Sequence, residues 1–181
     1  MSSRATVADV VIEVVEGDIT RQPDLDAVVN AANAQLMPGG GVAGAIHRAA
    51  GPSLAKECRP LAPIQPGDCA ITGGHGLPNP SVIHCLGPVY GVDDPAEELL
   101  ASCYRRALEL ADERGLESVG FPAISTGVFG YPLPEATEVA LRAVIDAAPK
   151  LRRVKRVRFV LFDSRAAELH DRVLSSLSAD E

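Results

Sequence analysis

Strand signals and helix signals take turns along this chain from one end to the other, and that alternation restricts the fold more than any other feature. β-Branched residues from Val7 to Val15 read as a buried strand. A short run at Ala27 to Asn30 follows, after Gly17, Asp18, Ile19, Thr20 and a loop containing Pro23. Val42 to Ala50 reads as a helix that opens directly after three glycines and stops at Gly51, and a second helical stretch begins at Pro52 and reaches about Cys58. Cys69 to Thr72 and Val82 to Leu86 are strand segments bounded by Gly and Pro. From Pro95 to Arg114, Leu99, Cys103, Ala107 and Leu110 recur at helical spacing, with a stop at Gly115. A strand over Ser118 to Ile124, a helix over Pro134 to Ala147, a strand over Val154 to Phe162 and a helix over Ser164 to Leu177 complete the series. Strands separated by helices pair in parallel and need cover on both faces. The expected architecture is therefore α/β: a three-layer α/β/α sandwich around a central mixed, largely parallel sheet, as a single domain over residues 1–181.

Composition narrows the partners. The chain is 46% hydrophobic, enough for one sizeable core, and 17 basic against 24 acidic side chains leave a charge of −7, which disfavours a general nucleic-acid binder. Aromatics are 4% and Trp is absent, so no base-stacking platform for single strands is expected. No stretch approaches the ~20 apolar residues of a membrane helix, and the expected location is the cytoplasm. Cys58, Cys69, Cys85 and Cys103 show no paired spacing of a zinc or redox site, which predicts four reduced thiols and neither a metal nor a cofactor. The basic run Lys150, Arg152, Arg153, Lys155, Arg156 and Arg158 alternates with Val154, Val157 and Phe159, and reads as a solvated approach to an edge strand.

In open parallel sheets ligands bind outside the carboxyl ends of the strands, and two loops there are rich in glycine. The first runs from Asn30 through Asn33 to Gly39, Gly40 and Gly41 and opens the helix at Val42; the second runs Ser125, Thr126, Gly127, Val128, Phe129, Gly130, Tyr131. Both offer close backbone approach and free amides, and the first adds a helix N-terminus, so together they suit a diphosphate. Gly39, Gly41 and Gly44 match the dinucleotide fingerprint only formally, since the loop begins eight residues past its strand. A nicotinamide-dependent oxidoreductase is accordingly disfavoured, and no Lys-Ser or Lys-Thr follows the glycines to make a Walker loop. Asp18 suits either a turn or a ligand amine, and Asn30 and Asn33 suit either the loop itself or sugar hydroxyls. His47 lies one helical turn after Ala43 near the glycine loop, while His84, in a strand, reads as a satisfied core histidine.

Gly17-Asp18-Ile19-Thr20, Val28-Val29-Asn30-Ala31-Ala32-Asn33, Gly39-Gly40-Gly41-Val42, Ile46-His47-Arg48-Ala49-Ala50-Gly51, Val82-Ile83-His84 with Gly87-Pro88, and Phe121 to Gly130 follow one another as in macrodomains. The chain resembles a MacroD-type macrodomain over nearly its whole length. The resemblance implies binding of ADP-ribose and of ADP-ribosylated proteins, with hydrolysis of ADP-ribose esters on acidic side chains or of O-acetyl-ADP-ribose. It assigns Asp18 to the adenine amine and Ile19 to the adenine face. Asn33 falls to the distal ribose, and the backbone of Gly40, Gly41, Val42 and of Ser125, Thr126, Gly127, Val128 and Phe129 to the diphosphate. Gly127 and Phe129 also shape the distal ribose, and His47 occupies the helix histidine of the family, so the catalytic set it implies is Asn33, His47, Gly127 and Phe129. One position departs: the hydrolases carry Asp in Gly-Val-x-Gly as a general base, and here x is Ala43. Hydrolysis with substrate-assisted activation of water and non-catalytic reading of ADP-ribose are the two readings that follow.

Overall fold

The computed structural model describes residues 2–179. Seven strands form one sheet: β1 (Ser2–Val7), β2 (Val10–Glu16), β3 (Ala27–Ala31), β4 (Cys69–Gly73), β5 (Ser81–Cys85), β6 (Ser118–Phe121) and β7 (Arg156–Leu161). Their order is β1-β2-β7-β6-β3-β5-β4. The five inner strands are parallel, and the two edges, β1 and β4, run antiparallel to their neighbours. The helices are α1 (Gly41–Ala50), α2 (Pro52–Cys58), α3 (Ala96–Glu113), α4 (Leu133–Ala147) and α5 (Ser164–Ser178). The fold is thus a three-layer α/β/α sandwich around a mixed, largely parallel sheet, and no helix among the described residues is long and apolar enough to cross a membrane.

The strand period of two sorts side chains to the two faces. Ile12, Val14, Val29, Ile83, Phe121, Val157 and Phe159 point to the face covered by α3, α4 and α5, where Tyr104, Phe121 and Phe159 meet with ring centroids 5.0 to 6.1 Å apart. Truncating either phenylalanine to alanine there would cost about 3–5 kcal/mol. Val28, Val82 and Val160 point to the opposite face, where α1 and α2 bring Ile46 and Leu54. Only the β3, β5 and β4 side of that face carries helices; over β2 and β7 it carries Glu13, Arg156 and Arg158 instead.

Two expectations are corrected here. The segment Val7 to Val15 is not one strand but a hairpin, because Ala8 and Asp9 both take positive φ (48° and 68°) and reverse the chain in two residues. Ala8 is unusual in such a turn and no glycine marks it beside Asp9, so the β-branched residues on both sides read as continuous. The strand after the basic run is not at an edge: β7 lies between β2 and β6. Its arginines tolerate that position because Arg158 donates to Glu13 at 2.9 Å and to both oxygens of Asp24 at 2.8 and 2.7 Å. The run is led into the strand by Asp112, whose carboxylate takes the backbone amides of Arg152, Arg153 and Val154 at 3.0, 2.6 and 3.0 Å.

Candidate functional site

Because the five inner strands are parallel, the loops after β2, β3, β5, β6 and β7 all emerge at one edge of the sheet. The structure therefore brings Asp18, the 33–42 loop, Gly87, the 125–131 loop and Phe162 together along that edge. Backbone bonds stitch neighbours: the Gly17 amide donates to the Leu161 carbonyl at 2.8 Å, and the Tyr90 amide to the Phe129 carbonyl at 2.8 Å. The Ser125 hydroxyl donates to the Pro88 carbonyl at 2.8 Å, and a methyl on Gly87 would overlap that hydroxyl, so Gly87 is required for the close approach.

The two glycine loops are open where a ligand needs room. A Cβ at Gly40, Gly41 or Gly127 would meet no atom within 4 Å, whereas at Gly44 it would collide with the Gly39 carbonyl. The open glycines give access and the closed one lets α1 start tight against its own loop. Ser125 holds φ of +67°, a strained value for serine, which turns the second loop so that the Tyr131 amide returns to the Ser125 carbonyl at 2.9 Å. Thr126 is anchored by its hydroxyl to the Ala123 carbonyl at 2.8 Å, while Val128 projects fully into solvent and Phe129 is half-buried.

Asp18 is exposed, and its Oδ1 accepts the Thr20 amide at 2.9 Å and the Thr20 hydroxyl at 2.7 Å. Those bonds hold its carboxyl below the usual carboxylate range and leave Oδ2, 3.8 Å from Arg21, as a free acceptor. Ile19 is buried in the core beneath. The Asn33 side chain clips its own loop, donating to the Met37 carbonyl at 2.9 Å and accepting the Met37 amide at 3.1 Å. One hydrogen and one lone pair of that amide stay free. Ala43 is buried and offers no proton acceptor.

His47 is not on the rim. It is 6% exposed, between α1 and the sheet, and neither ring nitrogen has a partner among the described residues, so burial pushes its pKa down and keeps it neutral. Nearby His84 is fully buried: its Nδ1 accepts from Asn30 Nδ2 at 3.0 Å, so its Nε2 carries the proton and donates to the Thr72 hydroxyl oxygen at 2.9 Å. Burial, and then the charge His47 would carry, push His84 down to about 4. The four cysteines are free; burial, and then the Glu57 charge, raise Cys58 to about 11, far from thiolate chemistry.

The comparisons with known proteins bear on this edge. The Macro domain family signature covers residues 29–140, which includes both glycine loops. The chain belongs to the macrodomain family. It is 43% identical over 169 residues to a Macro domain-containing protein of Chlorobaculum tepidum, spanning 93% of this chain and 98% of that one. It is 46% identical over 175 residues to an O-acetyl-ADP-ribose deacetylase of Salmonella typhimurium, spanning 93% and 97%. The solved Oceanobacillus iheyensis macrodomain with ADP superposes with a TM-score of 0.96 at 41% identity, over 100% of this chain and 98% of that one.

In this macrodomain one exposed residue escaped the reading of motifs. Phe162 follows β7 directly and is 90% exposed, beside the Gly17-Asp18 turn. A large ring left in water at the rim of a ligand edge is the available signal, and it appears only once the end of β7 is known.

Proposed function

We propose that this macrodomain, acting as one unit over residues 1–181, binds ADP-ribose along the carboxyl edge and hydrolyses mono-ADP-ribose esters on acidic side chains of proteins, with O-acetyl-ADP-ribose as a second substrate. The observation that carries this reading is the pair of open glycine loops: a Cβ at Gly40, Gly41 or Gly127 would meet no atom within 4 Å, and the amides of these glycines have no backbone acceptor among the described residues, so a ligand can approach them closely. Asp18 Oδ2 accepts from the adenine amine, with Ile19 beneath and the ring of Phe162 as a flat neighbour. The amides of Gly40, Gly41 and Val42 and of Ser125, Thr126, Gly127, Val128 and Phe129 take the diphosphate oxygens without any Lys or Arg. Asn33 fixes the distal ribose, and Phe129 and Gly127 limit its position.

With alanine at 43, water is activated from elsewhere. A diphosphate oxygen of the substrate polarises the water, and the neutral imidazole of His47 packs below the loop and supports its position. Esters of ADP-ribose are labile enough for positioning to supply much of the remaining acceleration. The deacetylase relative from Salmonella, 46% identical, supports ester chemistry. The second reading, a reader that binds without turnover, is favoured by the buried Ala43 and His47, which place no ionised base at the rim. The experiment is release of ADP-ribose from a protein mono-ADP-ribosylated on glutamate, compared with the Gly127→Glu variant. Release above that control establishes the hydrolase; ADP-ribose binding without release establishes the reader.

A further inference from the structure

A second constellation lies at the opposite end of the sheet. Helix α2, through Ser53 in its first turn and Glu57 in its last, and the loop after β4, through His75, bring these three side chains together. The Ser53 hydroxyl is 2.9 Å from His75 Nδ1, and His75 Nε2 is 2.7 Å from Glu57 Oε1. The tautomer follows from the partners: an ionised carboxylate only accepts, so Nε2 carries the proton and Nδ1 presents a lone pair to the serine hydroxyl. The carboxylate is itself oriented, taking the Gly73 amide on both oxygens at 3.1 and 3.3 Å. His75 holds φ of +54°, a conformation that turns its ring back from the β4 loop onto α2. Ser53 is exposed.

We propose that Ser53 is a base-activated nucleophile and an acyl-acceptor site, with His75 as its base and Glu57 as the positioning residue. This is the order of groups that activates serine, with the two ring nitrogens in exchanged roles. The site is open, so it selects by reactivity: small activated acyl donors such as aryl esters. Ser53 Oγ bonds to the acyl carbon, the carbon–aryloxide bond breaks, and the serine proton passes to His75 Nδ1 and from there to the leaving aryloxide or to water.

The test is p-nitrophenyl acetate with the full chain, following p-nitrophenolate release and locating the acetyl group by peptide mass spectrometry. The expected result is one acetyl group per chain on Ser53, ahead of the exposed serines Ser164 and Ser176. His75→Gln and Glu57→Gln should lower its rate by roughly tenfold or more while ADP-ribose binding and Tm stay unchanged. Acetyl groups spread over lysines, or Ser53 labelled no faster than Ser164 in the unaltered chain, would overturn the proposal and leave the cluster as a tether between α2 and the β4 loop. The comparison among serines needs no variant, so it stands even where a substitution unfolds the chain.

Discussion

The face of the sheet that carries α1 and α2 is divided into two halves that solve the same problem in opposite ways. Under the helices, Asn30, Thr72 and His84 form a neutral, fully buried chain of hydrogen bonds beside the unpartnered His47. Over β2 and β7, where no helix lies, Glu13, Arg158, Asp24 and Arg156 form an ionic network. Charges there are kept by pairing, the buried Glu13 with Arg158 and Arg156, while beneath the helices only neutral groups survive, because desolvation costs an unpaired ion more than it costs an imidazole. The ligand edge runs across both halves. On the proposed reading its adenine end, at Asp18 and Phe162, would sit on the ionic half and its ribose end, at Asn33, on the neutral half above His47, with the Gly127 loop bridging them.

The bridge gives the largest expected effect. Gly127→Glu places a carboxylate where a diphosphate would lie, and like charges at that distance cost several kcal/mol. ADP-ribose affinity, measured by calorimetry, should fall about 100-fold or more, with Tm little changed because a side chain there meets open space. Retained affinity would move the diphosphate away from this loop and separate the two ends of the site.

The neutral half predicts an instability at milder acid than the ionic half, where Arg158 holds the Asp24 carboxyl below its usual range and stability is lost only as pH falls through that lower range. His84 is pushed down to about 4, whereas an unfolded histidine titrates near 6.5. Above about pH 6.5 both states are neutral and the stability is fully present. As pH falls the unfolded chain takes up the proton first, and stability is lost progressively down to about pH 4, to a total of about 3 kcal/mol. His47 and His170, also lowered by burial, act in the same direction. Urea unfolding at a series of pH values should show this slope, and His84→Gln, which keeps a polar side chain in reach of Asn30 and Thr72, should flatten it. An unchanged slope in that variant would place the proton uptake elsewhere.

Most of the layer order was legible because each strand and helix is long enough to impose its own period; in Ala96–Glu113 the expected Cys103 and Ala107 are buried, while the stripe is centred on Leu100, Tyr104 and Ala111, with Leu99 and Leu110 only partly buried. What was not legible depends on partners distant in sequence. Nothing near Arg158 says that Glu13, 145 residues away, waits for it, so a charged strand read as an edge. The glycine loops were readable from the sequence and the structure leaves Gly40, Gly41 and Gly127 open, but the burial of His47 was not readable, because a helix sequence does not say how deeply it is set against the sheet. The triad of Ser53, Glu57 and His75 left no sequence signal, since its members only meet when the β4 loop folds back onto α2.

At the adenine end the effects are smaller, because the contacts stay near water. Asp18→Ala removes a charged acceptor for the adenine amine and should weaken ADP-ribose by about 1.5 to 3 kcal/mol, roughly tenfold or more. Affinity equal to that of the unaltered chain would remove Asp18 from the site. Thr20 loses two hydrogen bonds in the same variant, so a melting curve is needed beside the titration to separate a loosened turn from a lost ligand contact.

Phe162→Ala should give the smallest change and the sharpest division between the two ends. A stacked base contributes about 1 to 3 kcal/mol, and an edge position open to solvent on one side belongs at the lower figure, near 1 kcal/mol or about fivefold in Kd. The ring is 90% exposed, so its removal takes almost nothing from the core and Tm should not move. The discriminating measurement is a pair of ligands: the loss should appear with ADP-ribose and with AMP, and be absent with ribose 5-phosphate, which has no base to stack. Equal losses on all three would mean that Phe162 acts through the Gly17 turn to which its strand is bonded, and the ligand edge would then be one coupled surface rather than two ends with different chemistry.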